Sequence, residues 1–399
     1  MGDYLPDITF SERVRQRDGV NLIASENYVS PHVQTAVANC FTNKYAEGYP
    51  FRRYYSGCRN ADNLELYCQM LWKEVFQTGY HVNVQPHSGT NANMAVYLAL
   101  LEPGDTILSL SLKDGGHLSH GSPANLSGKL YNIVHYGLGA DERIDYDDIE
   151  AKIKEFRPKL VIAGASSYSR EIDFIKIRGI IDTCGEPKPI FMADIAHIAG
   201  LVAAGMHQSP FNIADVVTMT THKTLRGARG GLIFCKKEYA EAIDKAVFPG
   251  LQGGPLMHMI AGKAATAEEA LKPEFKDYIS KVIENSRLMA NEFTSLGQPV
   301  VSGGTDNHMF MLDLRHTGLT GRQVQEALED CGIYVNKNCV PNDPNPPSLT
   351  SGIRIGTAAM TTKGLSKRDF ITVTRKIFDT ISNLSPIPYE MHYESEVPA

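Results

Sequence analysis

One lysine in this chain follows a run of β-forming residues and lies among hydroxyl side chains. Lys223 comes shortly after residues 216–219, and its neighbours are Thr220, Thr221 and Thr224. A lysine in a partly dry site loses its charge readily, with a pKa that can fall to roughly 7–8. The neutral amine can form a Schiff base with a carbonyl, and the commonest cofactor that uses one is pyridoxal phosphate. A plain structural lysine is the alternative interpretation of this stretch alone.

Residues 87–93 offer the groups that a phosphate requires. Ser88 and Thr90 supply hydroxyls that can cap the helix predicted over residues 91–101, and Gly89 allows a close approach of the backbone. Helix N-termini attract anions because their first N–H groups are unpaired. An ordinary helix cap explains the same residues. No Walker loop and no Gly-x-Gly-x-x-Gly after a strand occurs, which argues against nucleoside triphosphate and dinucleotide enzymes.

Two further groups suit a flat, nitrogen-containing ring. Asp194 ends the apolar run 190–193, where a carboxylate can hold the proton of a pyridine nitrogen, and His197 follows three residues later. A solvated aspartate is the alternative, although an unpaired buried charge is costly. His117 is a candidate for stacking on the ring. His117 and His120 could instead bind a metal, but no carboxylate or cysteine completes a recognisable set, so no metal site is predicted.

These side chains follow short apolar runs that predict a mostly parallel β-sheet. The runs alternate with helical stretches such as residues 91–101 and 146–156, a pattern typical of a sheet covered by helices on both faces. Ligands of such sheets bind at the carboxyl ends of the strands. The predicted strands are residues 106–110, 130–136, 160–165, 189–193 and 215–219.

The last third of the chain has a different pattern. Residues 266–296 predict a long helical region with a break near its start at Pro273. It is followed by a predicted strand over 309–314, a helix over 321–330, a short extended segment at 353–355 and a helix over 367–384. We therefore expect an irregular N-terminal arm over 1–53, a large cofactor-binding domain over 54–271 and a small α+β domain over 272–399.

Composition excludes several classes of protein. The 399 residues are 43% hydrophobic and 21% charged, as in an ordinary globular protein, and the formal net charge of −6 argues against a nucleic-acid binder. No apolar run approaches the roughly 18–20 residues of a membrane span. The seven cysteines lack a Cys-x-x-Cys pair, and the first residues lack the pattern of a secretory signal. These features predict a cytoplasmic protein.

Eight ordered motifs resemble those of the serine hydroxymethyltransferase family. They are NLIASEN (21–27), NKYAEGYP (43–50), RYY (53–55), QPHSG (85–89), GGHL (115–118), THKT (221–224), QGGP (252–255) and SGIR (351–354). A single motif would be weak, whereas the ordered set is highly specific. The resemblance covers residues 21–375 and implies an α/β protein with the aspartate-aminotransferase-like fold (type I) and pyridoxal 5'-phosphate as cofactor.

The resemblance also implies roles for individual residues. Lys223 would carry the cofactor, Asp194 would hold its pyridine nitrogen and His117 would stack on its ring. The other implied cofactor contacts are Ser88, Gly89, Thr90, Ser169, His197, His222, Gly253 and Gly254. The implied substrate contacts are Ser25, Tyr45, Glu47, Tyr55, His197 and Arg354, and the implied folate contacts are Leu112, Gly116, Leu118 and Asn338. Catalytic roles would fall to Lys223, Glu47, His222, Tyr55 and Thr220.

The expected reaction is reversible transfer of the hydroxymethyl group of serine to tetrahydrofolate. The products would be glycine and 5,10-methylenetetrahydrofolate. We expect at least a homodimer, with the glycine loop at Gly253, together with Glu47 and Tyr55, approaching from the partner subunit. A folate-independent aldolase or transaldolase for β-hydroxy amino acids is one alternative, and a non-catalytic binding protein on the same fold is another. The chain departs from the family pattern at Met219, Ser167, Ser348 and Ala358.

Overall fold

A computed structural model of the protein describes residues 4–387. These residues form two compact units: one runs from Asn27 to Ser280, and the other joins the residues up to Glu26 with those from Lys281 onward. The strands are β1 Val20–Asn21, β2 Gly48–Tyr49, β3 Arg52–Arg53, β4 His81–Asn83, β5 Thr106–Leu110, β6 Asn132–Tyr136, β7 Leu160–Gly164, β8 Ile190–Asp194, β9 Val216–Thr220, β10 Gly231–Cys235, β11 Met309–Asp313, β12 Ile333–Tyr334, β13 Asn336–Asn338 and β14 Gly352–Gly356.

The α-helices lie between these strands and at both ends. They are α1 Tyr4–Asp18, α2 Pro31–Val37, α3 Arg59–Phe76, α4 Gly89–Leu100, α5 Leu126–Leu130, α6 Tyr146–Phe156, α7 Phe174–Thr183, α8 Ala199–Ala203, α9 Ala240–Lys245, α10 Met257–Ala270, α11 Pro273–Ser295, α12 Gly321–Asp330, α13 Ala358–Lys363 and α14 Lys367–Leu384.

The larger unit is built on a seven-stranded sheet in the order β4-β10-β9-β8-β7-β5-β6. Strands β5 to β9 pair in parallel, and β10 is antiparallel to both β9 and β4. All residues of β7, β9 and β10 are buried, as expected for strands covered on both faces. The five predicted strands are confirmed to within two residues, whereas β4 and β10 were not predicted.

An aromatic cluster supports this sheet. Helix α3 buries Trp72, the only tryptophan of the chain, and its ring stacks on Phe76 with centroids 6.0 Å apart. Phe76 also contacts Phe211 and Phe234, at centroid distances of 4.7 and 5.5 Å. Such pairs contribute about 0.5–1.5 kcal/mol each beyond the burial of their area. The cluster therefore fixes α3, which the sequence did not predict, against the sheet.

The smaller unit contains the antiparallel sheet β11-β14-β13 and the parallel pair β1-β12. The predicted strands at 309–314 and 353–355 and the helices at 321–330 and 367–384 are confirmed. Helices α12 and α14 both begin with a capping box, in which Thr320 and Ser366 exchange hydrogen bonds with the third helical residue. The break predicted at Pro273 is also confirmed, because α10 ends at Ala270 and Pro273 begins α11.

The N-terminal region differs from the sequence expectation. Irregular structure was predicted over 1–53, but Tyr4–Asp18 forms a 15-residue helix with Pro6 in its first turn, where proline is tolerated. None of its residues is buried, so no apolar stripe marks it in the sequence. The compact units divide the predicted arm after Glu26. The boundaries at 53/54 and 271/272 stay a prediction. None of the helices formed by residues 4–387 combines the length and apolar character that crossing a bilayer requires.

Candidate active site

Lys223 lies in a tight turn just beyond the end of β9. The Thr221 hydroxyl donates to the Ala228 carbonyl at 2.5 Å and closes the turn. The carbonyl of Lys223 accepts hydrogen bonds from the Asn27 side chain at 2.9 Å and from the Arg226 backbone at 3.0 Å. Lys223 itself is only 9% exposed. Its backbone is therefore fixed, and its amine lies in a nearly closed part of the larger unit.

Asp194 ends β8, the strand beside β9. It pairs in register with Thr218 and is buried. Its Oδ2 accepts hydrogen bonds from Asn93 at 2.8 Å and from His120 at 2.9 Å, and its Oδ1 accepts one from the Ala196 backbone at 3.0 Å. Burial would raise the pKa of Asp194, but its interactions with His120 outweigh that effect, with smaller contributions from His117 and Asn93, and the pKa lies well below its usual range. The carboxylate therefore stays ionised in a dry site and can stabilise a protonated ring nitrogen.

The tautomers of two histidines follow from their backbone contacts. His117 donates its backbone N–H to Nδ1 of His120 at 3.4 Å, so the proton of the His120 ring lies on Nε2, which faces Asp194. Nδ1 of His117 accepts from the Ser119 backbone at 3.1 Å, which leaves the proton of the neutral His117 ring on Nε2. Both rings are thereby held in fixed orientations. The alternative of a His117–His120 metal pair gains no support from these contacts.

Asn93 connects Asp194 with His117. Its side chain is 1% exposed, donates to Asp194 and to the Ser119 hydroxyl at 2.9 Å, and accepts from the Thr218 hydroxyl at 2.7 Å. The Ser119 hydroxyl also lies 2.7 Å from Nδ1 of His117. One amide therefore links the two side chains predicted to hold and to stack on the cofactor ring. Such a network is rigid only while every member is satisfied.

The phosphate-binding residues predicted at 87–93 lie at the start of α4. Ser88 caps the helix and accepts from the Asn91 backbone at 3.2 Å. A Cβ at Gly89 would lie 2.7 Å from the methyl group of Thr220, and one at Gly231 would lie 2.3 Å from the Ser88 carbonyl oxygen. These two glycines let the start of α4 pack closely against the last residue of β9 and the first residue of β10. The resulting cradle presents backbone N–H groups and hydroxyls, the donors that a phosphate requires.

His222 lies beside this cradle as an uncharged donor. Burial, followed by the charges of Arg229 and Lys223, lowers the pKa of His222 to about 3. Its Nδ1 accepts from the Gly230 backbone at 3.4 Å, so Nε2 carries the proton and can donate to an anion. Thr220 is buried and donates its hydroxyl to the Ala196 carbonyl at 3.2 Å. The other cofactor contacts implied by the resemblance in this unit are half-buried Thr90 and buried Ser169 and His197.

A second group of predicted residues comes together on one exposed patch of the larger unit. The rings of Tyr45 and Tyr55 meet edge to face at 5.2 Å, and both tyrosines are about half exposed. The negative charge of Glu47 raises the pKa of the Tyr55 hydroxyl. A Cβ at Gly253 would lie 3.2 Å from Oε1 of Glu47, and one at Gly254 would lie 3.2 Å from the Tyr45 ring. A carboxylate, two phenols and the glycine loop therefore form one surface.

The predicted folate contacts of the larger unit lie directly after β5. Gly116 donates to the Ser111 carbonyl at 2.8 Å, and a Cβ there would lie 2.2 Å from the Leu110 carbonyl oxygen. On either side, Leu112 and Leu118 are 39% and 50% exposed. Two exposed leucines beside a tightly folded turn form an apolar surface suited to a ring-bearing ligand.

The smaller unit holds the remaining predicted residues. Arg354 lies on β14, is buried, and donates its Nε to Asn336 of β13 at 2.9 Å. Burial lowers its pKa to about 10, so the guanidinium stays charged at neutral pH. Asn338 lies two residues further along β13, and the chain preceding Ser25 runs against Gly356, whose N–H donates to the Leu22 carbonyl at 2.8 Å. A charged guanidinium in a dry site suits a carboxylate.

The groups of the larger unit fit pyridoxal phosphate. They provide an amine on Lys223, an ionised buried carboxylate on Asp194, a fixed imidazole on His117 and an anion cradle at Ser88. In addition, Nε2 of His87 is buried beside that cradle and has no hydrogen-bond partner among the residues that the structure describes. Within residues 4–387, no three His, Cys, Asp or Glu side chains are grouped so that they could hold a metal ion.

Comparison with known proteins agrees with this geometry. A family model described as serine hydroxymethyltransferase matches residues 3–377. The chain belongs to the serine hydroxymethyltransferase family. A serine hydroxymethyltransferase of Coprothermobacter proteolyticus is 54% identical over 385 residues, which cover 94% of this chain and 92% of that protein. Family membership confirms the expected type I α/β fold, the transferase class, pyridoxal phosphate as cofactor and tetrahydrofolate as co-substrate.

One departure from the family pattern has a simple structural setting. Met219 is fully buried on β9 and pairs with Leu232 of β10. Because side chains alternate along a strand, Met219 points to the face opposite Thr218 and Thr220. Met219 therefore lies in the core of the sheet.

A second departure, Ser167, donates its backbone N–H to the Gly115 carbonyl at 3.1 Å, an interaction that does not depend on its side chain.

Sequence reasoning missed the residues that support this site. Asn93, Ser119, Thr218 and Asn336 were not singled out, and His120 was considered only as a metal ligand. One signal was available, because Asn93 is the only polar residue of the otherwise apolar helical stretch 92–96. A polar residue on a buried helix face needs partners. The pairing of Asn336 with Arg354 had no such signal, since it depends on the register of two short strands.

Proposed function

We propose that this protein interconverts L-serine plus tetrahydrofolate with glycine plus 5,10-methylenetetrahydrofolate, and that Lys223 binds the cofactor covalently. One observation carries the assignment of the site. Asp194 is buried, ionised and held by Asn93 and His120, on the strand adjacent to the one that leads to Lys223. Such a carboxylate is costly unless it meets a cation, and a protonated pyridine is the cation that the family chemistry supplies.

Each residue then has a defined task. When bound, pyridoxal phosphate links its aldehyde to an amine and withdraws electrons from the bond that breaks. Lys223 holds the cofactor and yields its place to serine, Asp194 keeps the proton on the pyridine nitrogen, and His117 orients the ring. Arg354 binds the substrate carboxylate through its planar fork, which a lysine could not replace. Glu47 moves a proton at the hydroxymethyl oxygen.

The remaining residues bind the two ends of the ligands. Ser88, Thr90 and His222 donate to the phosphate, and Gly89 allows the close approach of the backbone. Ser25, Tyr45 and Tyr55 bind the substrate, and Ser169 and His197 contact the cofactor. Leu112, Gly116, Leu118 and Asn338 bind the folate. We place the protein in the cytoplasm, with small-molecule substrates and no nucleic-acid or membrane partner, in keeping with its net charge of −6.

Borohydride reduction followed by peptide mapping tests the role of Lys223. We expect the label on Lys223 in the wild-type protein and its loss in Lys223→Ala, together with the loss of serine turnover. Lys152→Met is the control, since it removes a lysine to which the proposed mechanism gives no task and whose amine donates to the His135 carbonyl. Turnover should depend on added tetrahydrofolate. Labelling elsewhere, or unchanged turnover of the Lys223 variant, would disprove the assignment, and folate-independent turnover would favour an aldolase.

We also propose a homodimer in which the patch of Tyr45, Glu47, Tyr55 and the glycine loop completes the site of the other subunit. Half-exposed aromatic side chains around a carboxylate support a surface that functions on assembly. Lys223→Ala and Glu47→Gln chains, each inactive alone, should then complement each other when co-expressed. With random pairing, half the dimers are hybrids with one intact site, giving about a quarter of wild-type activity. A mixture no more active than its parents would contradict shared sites.

A further inference from the structure

Lys263 on α10 is a buried lysine to which the proposed mechanism gives no task. It is 2% exposed, and its Nζ donates to the carbonyls of Val84, Pro86 and Gly231 at 2.7, 2.9 and 3.0 Å. An ammonium has three N–H donors and no acceptor, whereas a neutral amine has two donors and a lone pair. Three carbonyl acceptors therefore select the protonated form. All three hydrogen-bond partners of the ammonium are backbone carbonyl oxygens, and none is a carboxylate.

The three carbonyls belong to the walls of the phosphate cradle. The Pro86 carbonyl also accepts the backbone N–H of Gly231 at 3.0 Å, which joins the segment before Ser88 to the start of β10. A Cβ at Gly230 would lie 2.2 Å from Cε of Lys263, and one at Gly231 would lie 2.3 Å from the Ser88 carbonyl oxygen. The Gly230–Gly231 turn is thus held between the lysine side chain and the cap of α4.

The positive charge of Lys263 affects the pKa values of two histidines beside the cradle. Burial is the main cause that lowers the pKa of His87, and the positive charge of Lys263 lowers it further. The same lysine adds to the burial and to the Arg229 and Lys223 charges that lower the pKa of His222. A potential that disfavours protons on two neighbouring imidazoles favours an anion beside them.

We propose that Lys263 is a positioning residue for the phosphate end of the cofactor. It holds the Pro86 and Gly231 carbonyls so that Ser88 and the Gly230–Gly231 turn keep the shape of the cradle, and it adds a positive charge behind them. It does this without touching the cofactor, because its three donors are all used by carbonyls. The inference rests on the proposed function, in which this cradle binds a phosphate.

The test compares two ligands that differ only in the phosphate. Apoprotein is titrated with pyridoxal 5'-phosphate and with pyridoxal, for the wild type, Lys263→Met and Lys263→Gln. Methionine removes both charge and donors at similar length, and glutamine keeps amide donors without charge. We expect affinity for pyridoxal 5'-phosphate to fall about tenfold or more in both variants, because both lose the buried positive charge behind the cradle. Affinity for pyridoxal should change by less than about twofold.

Competition by inorganic phosphate provides a second readout. Phosphate should displace pyridoxal 5'-phosphate from the wild type and compete less well for either variant. Lys152→Met serves as the control and should leave the ratio of the two affinities unchanged. If Lys263→Met does not fold, Lys263→Gln decides alone. Equal loss of both ligands would show a general structural role and overturn the inference, as would an unchanged affinity for pyridoxal 5'-phosphate.

The wild-type titration separates this inference from the proposed function. A wild-type protein with no preference for the phosphorylated ligand would overturn the phosphate cradle and, with it, the cofactor assignment. A wild-type preference that both variants retain would overturn the role of Lys263 alone.

Discussion

Asn93→Ala is the sharpest test of how the site holds its buried charge. The substitution removes two donors and one acceptor from a fully buried position and leaves Asp194, Ser119 and Thr218 each short of one partner. It creates no new contact, because alanine is smaller than asparagine. Whatever is lost therefore measures the amide network itself, together with the small cavity that remains.

The magnitude follows from the three hydrogen bonds. A hydrogen bond to a charged group contributes about 1.5–3 kcal/mol and a neutral one about 1 kcal/mol, so the loss of one charged and two neutral hydrogen bonds should lower the free energy of unfolding by about 3.5–5 kcal/mol. Asn285→Ala is a matched control. Asn285 is 5% exposed and donates one hydrogen bond, to the Thr361 hydroxyl at 2.9 Å. Its loss should reduce the free energy of unfolding by about 1 kcal/mol.

Urea unfolding of the apoproteins measures both values, with the slope compared between variants so that a change in the denatured state is recognised. A second measurement is the affinity for pyridoxal phosphate, which should fall for Asn93→Ala and not for Asn285→Ala. The reasoning would be refuted if Asn93→Ala lost less than about 1 kcal/mol, or no more than the control. Asp194 would then be held by His120 and the backbone alone.

Three other substitutions test the cradle and the buried histidine. Gly231→Ala should lower cofactor affinity about tenfold or more in a titration, since its Cβ would lie 2.3 Å from the Ser88 carbonyl oxygen. Gly179 lies on α7, and a Cβ added there would have no neighbouring atom within 4 Å. Gly179→Ala should therefore raise the free energy of unfolding by about 0.5–1 kcal/mol and leave cofactor affinity unchanged. Equal cofactor affinities in the Gly231→Ala and Gly179→Ala variants would contradict the cradle. The pKa of His222 is lowered from 6.5 to about 3, so the folded state resists its protonation. The contribution of His222 to stability should be fully present above pH 6.5 and fall by about 1.4 kcal/mol per unit as the pH drops towards 3. His222→Gln should remove that slope in a series of urea transitions, and an unchanged slope would show that His222 is not the group responsible.

Helices and strands were predictable where their buried side chains leave a regular pattern of apolar residues in the sequence. Thr106–Leu110 and Tyr146–Phe156 were predicted with their observed bounds, because continuous apolar strands and an amphipathic helix each have a distinct period. Tyr4–Asp18 was missed because none of its side chains is buried, so its sequence carries no period. β10 was missed because it follows β9 without a helix between them and pairs antiparallel with β9 and with the edge strand β4, so it lies outside the alternation of parallel strands and helices.

The site divides in the same way. Lys223, Asp194 and His117, which we assign to the cofactor ring, could be singled out from the sequence, because each follows a strand and carries its own chemistry. The supporting groups were not. Asn93 and Lys263 lie on helices far from those strands in sequence, and their roles arise only from partners that the fold brings to them. The chemistry of a side chain can thus be inferred from the local sequence, whereas the residues that support it depend on contacts that form only in the tertiary structure.

The position of the single tryptophan gives the molecule a built-in optical probe. The indole of Trp72 is completely shielded within the unit of residues 27–280, and the sequence places no second indole in the rest of the chain. Fluorescence excited selectively at the indole therefore follows the melting of that unit alone, whereas far-ultraviolet dichroism sums over all helices. Superimposable melting curves from the two signals would mean that both units unfold together, and separated midpoints would mean that one unit unfolds before the other.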